Sequence, residues 1–157
     1  MAKTVERIEA REGYDRWSKI YDQRASALVA LDRRYTLRHL RPQADEQILD
    51  AGCGTGVHLD SIRRAGARAV GLVFSAFHPD MAAAGVEANF EMDDTEYRLG
   101  AERHTVVDYL DGVTKAGFEN LRWCEYEADR ELVETAPSAA KYLGQPLLLM
   151  IEAKRPA

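Results

Sequence analysis

Ile48-Leu49-Asp50-Ala51-Gly52-Cys53-Gly54-Thr55-Gly56 is the stretch whose reading decides the fold. Gln47 to Ala51 has the form of a short buried strand, and three glycines in five positions follow it. Glycine accepts positive φ and lets a ligand approach the backbone, so the chain can turn sharply here. Val57 to Ala65 continues with Leu59 and Ile62 on one helical face, and Gly66 stands as the stop. The free N–H groups and positive dipole end of that helix face the loop and suit a carboxylate or a phosphate. Arg68 to Phe74 reads as a second strand. Strand, glycine turn, helix and strand form a βαβ unit, which predicts a parallel sheet with a right-handed crossover. Val57 occupies the third glycine position of a dinucleotide fingerprint, and no Gly-Lys-Ser/Thr follows, which excludes a Walker phosphate loop. Asp50, at the strand end, is placed to receive an ammonium group or ordered N–H donors.

On the amino-terminal side, Tyr14, Trp17, Tyr21 and Leu28 fall at helical spacing among charges. A second stripe runs through Leu28, Leu31, Tyr35 and Leu40, and Arg41-Pro42 ends it, because the residue before proline avoids the α region. On the carboxyl side, 75–103 looks irregular, with Pro79, Gly85, Gly100 and the acids Glu87, Glu91, Asp93, Asp94 and Glu96. Thr105-Val106-Val107-Asp108 has the form of a capping box. Val106, Leu110 and Val113 continue that helix to Gly117. Leu121 to Tyr126 and Leu147 to Ala153 read as two closing strands, with a short helical piece near Asp129 to Thr135 between them. No internal repeat or low-complexity tract is present.

Ile48 to Gly56 resembles motif I of the class I S-adenosylmethionine (SAM) dependent methyltransferases almost letter for letter. Two flanking stretches extend the likeness. Gly13-Tyr14-Asp15-Arg16-Trp17 with Ile20-Tyr21-Asp22 resembles the helical cap of small-molecule methyltransferases. His104 to Leu110 with Ala116-Gly117-Phe118 resembles their last helix and following strand. The resemblance implies one α/β domain over 1–157, with a helical cap at 1–42 and a shortened Rossmann-like core at 43–157. It implies a truncated, mostly parallel central sheet of four or five strands with Ile48–Ala51 at its centre. It also implies SAM as methyl donor, a small-molecule acceptor, and a cofactor site at Asp50, Ala51, Gly52, Cys53, Gly54, Thr55 and Gly56, with Tyr14 and Tyr21 closing over it.

The likeness breaks in the middle. At least three more strand–helix units of roughly 30 residues each belong between the glycine loop and the last helix. Val73 to Pro79 looks like the end of the family's fifth strand, as if the third and fourth had been excised. The acid that holds the ribose hydroxyls, about 20 residues past the glycines in related nucleotide folds, is replaced by Val73. Loss of that acceptor predicts SAM affinity lower by roughly ten- to hundredfold. Excision also leaves uncovered sheet edges, which predicts a closed two-fold homodimer. The competing expectation is a non-catalytic, degenerate or internally deleted methyltransferase-fold protein that such pairing stabilises.

Composition sets the remaining bounds. Apolar residues make up 46% and charged ones 30% of 157, as in ordinary globular proteins, and no apolar run approaches a membrane span. With no apolar leader at the amino terminus and only Cys53 and Cys124, a reduced, cytoplasmic setting is expected. Residues 1–41 carry ten Lys/Arg against six Asp/Glu, and the remainder eleven against twenty. The basic residues are interspersed with acids and match no nucleic-acid motif, so no nucleic-acid or membrane partner is expected. His39, His58, His78 and His104 lack metal-ligand spacing, so no metal site is expected. His78 and His104, on segments that border the substrate pocket in the resembling family, are the candidate general bases.

Overall fold

The computed structural model describes residues 4–23, 26–46, 48, 57–67 and 72–154. Asp50 to Gly56, and with them most of the strand and loop read as the cofactor site, lie outside the described residues. The chain is a mixed α/β protein with two three-stranded sheets.

The larger sheet is made of β2 (Leu72–Phe77), β5 (Glu119–Glu127) and β6 (Pro146–Lys154), with β6 in the middle. Both neighbours run antiparallel to β6, so β2 and β5 are parallel to each other. Their connection carries α5 (Val106–Lys115), while most of the βαβ unit read over 47–74 lies outside the described residues. β6 is buried from Leu147 to Ile151, as a strand covered on both faces must be. Leu148 and Met150 face a cluster with Leu31, Met81, Leu132, Ala136 and Ala139, supplied by α2 (Ala27–Leu40), α4 (Pro79–Ala83), α6 (Arg130–Thr135) and the 3-10 turn Pro137–Tyr142.

The smaller sheet has the order β1–β4–β3, from β1 (Thr4–Arg7), β3 (Asn89–Met92) and β4 (Thr95–Arg98). β3 and β4 form a hairpin whose two turn residues, Asp93 and Asp94, both take positive φ, as a two-residue loop matched to strand twist requires. β1 pairs parallel with β4. Arg7 forks onto Glu87 through two 3.1 Å hydrogen bonds, pinning that pairing. Helix α1 (Ala10–Trp17) lies against the hairpin: Trp17 stacks on Phe90 at 5.6 Å, and Arg16 sits over Tyr97. Gly13 permits this approach, since a Cβ there would fall 2.6 Å from the Leu99 side chain.

Several expectations are corrected. The described ladders are mostly antiparallel; only β1 with β4 is parallel among the paired strands. Antiparallel order follows from β6 returning between two parallel strands. Where four or five central strands were expected, the described residues give three, and 89–98 within the acid-rich 75–103 stretch folds as a hairpin of the second sheet. The amino-terminal cap is not all helical, because β1 precedes α1. Other expectations hold in place. α2 ends at Arg41 in a left-handed conformation before Pro42, and Thr105 with Asp108 closes a full capping box on α5. The helix after the glycine loop is α3 (Leu59–Arg64). Among the described residues no helix is long and apolar enough to cross a membrane.

Candidate functional site

Asp32 is the polar residue on which separate elements converge. Its helix α2 presents Asp32, Thr36 and His39 along one flank of the Leu28–Leu31–Tyr35 stripe. Thr36 Oγ donates to Asp32 Oδ1 at 2.6 Å, and Ser75 Oγ, from β2, donates to the same oxygen at 2.8 Å. His58 Nε2 lies 2.7 Å from Asp32 Oδ2, and His58 is buried. Burial works against the charged carboxylate, yet the hydrogen bonds from Thr36, His58 and Ser75 outweigh it and hold Asp32 below its ordinary value. Tyr21 belongs to the same neighbourhood: burial first, then Tyr14, Asp22 and Asp32, push its phenol up. His58 follows Gly56 by two positions and caps the start of α3. Asp32 therefore ties His58, at the start of α3, to Ser75 of β2.

The aromatic candidates gather around Trp17. Tyr14 lies on Trp17 at 5.7 Å, and Tyr21 meets Trp17 at 4.9 Å. Tyr14 is half exposed, whereas Trp17 is committed to Phe90 on the hairpin.

The two candidate bases part company. His78 ends β2 and caps α4; its Nδ1 accepts from the Asp80 N–H at 3.2 Å, which leaves the proton of a neutral ring on Nε2. That nitrogen makes no hydrogen bond, lies 3.4 Å from Glu125 Oε2, and belongs to a side chain only 1% exposed. His78 is sealed away from a diffusing acceptor. His104 is exposed and meets Tyr109 edge-on at 5.7 Å. It lines an open cavity of about 290 Å³ together with Phe74, Asp108, Tyr109, Gly112 and Val113.

A second polar seam went unnoticed in the sequence. His39 bridges Glu152 of β6 and the Tyr126 hydroxyl of β5, and Tyr126 stacks on Tyr35 at 3.6 Å. Burial, followed by Cys124, Tyr35 and Glu152, pushes the Tyr126 phenol up to about 12. The seam ties α2 to the sheet. Among those residues no group of three or more His, Cys, Asp or Glu is placed to hold a metal ion.

Comparisons with family models, with curated proteins and with solved structures return no match to this chain.

Proposed function

We propose that the chain is a SAM-binding, methyltransferase-type module with a shortened Rossmann-like core, acting on a small-molecule acceptor. The observation that carries this reading is the convergence at Asp32. One carboxylate of α2 joins His58, just past the motif, to Ser75 within β2. Two of the stretches that the motif reading singled out, the helix after the loop and the strand that follows it, are thus joined through α2. The backbone N–H groups of Gly52 to Gly56 would hold the cofactor's carboxylate and Asp50 its ammonium group. SAM supplies a sulfonium methyl to a nucleophile in line behind it. The chain's own contribution is to position that acceptor, and positioning alone gives much of such a rate.

Calorimetric titration with S-adenosylhomocysteine tests the site. The parent is expected to bind weakly, for want of an acid at Val73, and Gly54→Val and Asp50→Ala each to bind at least about tenfold more weakly. Two variants that bind as well as the parent place the site elsewhere, and a parent that does not bind ends the reading.

The non-catalytic reading draws on a different observation. β5 is a nine-residue strand with no partner on its outer side among the described residues, and Trp123 on it is 50% exposed. Long exposed edges pair with other chains. Light scattering across a concentration series should therefore give twice the 17.6 kDa chain mass. Trp123→Lys should shift it toward monomer; a well-folded parent monomer at micromolar concentration refutes the dimer.

A further inference from the structure

The cavity between β2 and α5 has a definite chemistry. Its walls are aromatic rings set at wide angles: Tyr109 meets Phe74 at 37° with centroids 5.5 Å apart, and His104 at 72°. Val113 and the bare backbone of Gly112 complete the wall, and Asp108 stands at the rim. No lysine or arginine lines it. Lys115, which also acts on Asp108, is paired with Asp111 at 3.6 Å. The Asp108 carboxylate accepts from the Thr105 N–H at 2.7 Å and from its hydroxyl at 2.8 Å, and these bonds hold it well ionised. A fixed negative charge thus stands among the aromatic residues that line the cavity.

We propose that this cavity is an aromatic cage for a methylated ammonium head group, of the trimethylammonium type. Ring faces attract a cation through their quadrupole, and a carboxylate at the rim adds to that attraction. A primary ammonium brings three N–H donors that need acceptors. The lining offers few: the Tyr109 hydroxyl, a His104 ring nitrogen and the Asp108 carboxylate, whose Oδ2 already serves Thr105. A methylated ammonium needs no acceptor and presents an apolar shell that fits an apolar wall. At about 290 Å³ the cavity lies at the small end of ligand pockets, ~300–1,000 Å³. It suits a compact head group, with the rest of the molecule leaving through the open side. The inference stands apart from methyl transfer: the cage is built on β2 and α5, and its test uses no SAM.

Amide-resolved NMR titration with choline, beside its neutral isostere carrying tert-butyl in place of trimethylammonium, is the experiment. Choline should shift the amides around Phe74, Tyr109 and Gly112 and bind at least about fivefold tighter than the isostere. Tyr109→Leu removes a wall and should weaken choline at least about fivefold. Gly112→Leu guards against a folding artefact. Its side chain enters open space on a helix that prefers leucine to glycine, so the variant should be at least as stable as the parent and still lose choline. Equal binding of the two ligands would make the cavity merely apolar and overturn the proposal. So would a choline titration that leaves these amides unmoved, or undiminished binding to Gly112→Leu.

Discussion

Replacing Asp32 by alanine is expected to lower the unfolding free energy by about 3 kcal/mol, and Tm by roughly 6–12 °C. The substitution removes the acceptor of Thr36, Ser75 and His58 at once, and His58 is buried at 8% exposure. Buried donors without a partner carry the full desolvation cost, about 1–3 kcal/mol each. Asp32→Asn keeps one acceptor oxygen and should cost less, about 1–2 kcal/mol at neutral pH. The pH dependence follows from the depressed native value. A carboxylate that is more acidic in the folded state contributes stability above its unfolded value, near 3.8, and loses it as pH falls through the native value. The gap between parent and Asp32→Asn should therefore narrow in acid. Urea denaturation at neutral pH and well below 3.8 measures both effects. A constant gap would mean that the carboxylate charge plays no part.

The second large effect is expected in the middle strand. Leu148 is 1% exposed and stands in register between Phe77 of β2 and Tyr126 of β5, in the cluster with Leu31 and Leu132. Leu148→Ala removes buried methyl groups and leaves a cavity that two strands and α2 cannot close, at a cost of about 2–5 kcal/mol. Val107 is 64% exposed on α5, and Val107→Ala should stay within about 0.5 kcal/mol. Denaturant midpoints of the two variants, read against the parent, check the contrast; comparable losses would place the core elsewhere.

What the sequence made legible was local. Thr105 and Asp108 announce α5 by their spacing, Arg41-Pro42 closes α2, and the continuous run Leu147 to Ile151 marks a strand buried on both faces. The β3–β4 hairpin was hidden because its turn is Asp93-Asp94 rather than a glycine-bearing pair, and its acids read as a solvated loop. Alternation at Phe90 and Tyr97 was the available signal. Strand β1 had none: its four residues are all exposed, and only pairing with β4, some 90 residues away, makes it a strand. The antiparallel ladders of the main sheet were not legible because the βαβ pattern speaks for 47–74 and says nothing of β6, the strand that enters between β2 and β5. For the site, the motif itself was plain, while Asp32 was not. Nothing nearby in the chain tells a helix aspartate that its partners are 26 and 43 residues downstream. Its spacing with Thr36 and His39, beside the apolar stripe, was the one hint.

The central position of β6 also orders events at the ribosome. β2 and β5 are synthesised well before the strand that joins them, and roughly 70 residues separate Phe77 from Pro146. At about 5–20 residues per second, β2 spends on the order of 4–15 s as nascent chain without its eventual neighbour. No hairpin between β2 and β5 can stand in, since they end parallel and one strand apart. The three-stranded sheet therefore cannot be completed before Pro146–Lys154 has been synthesised.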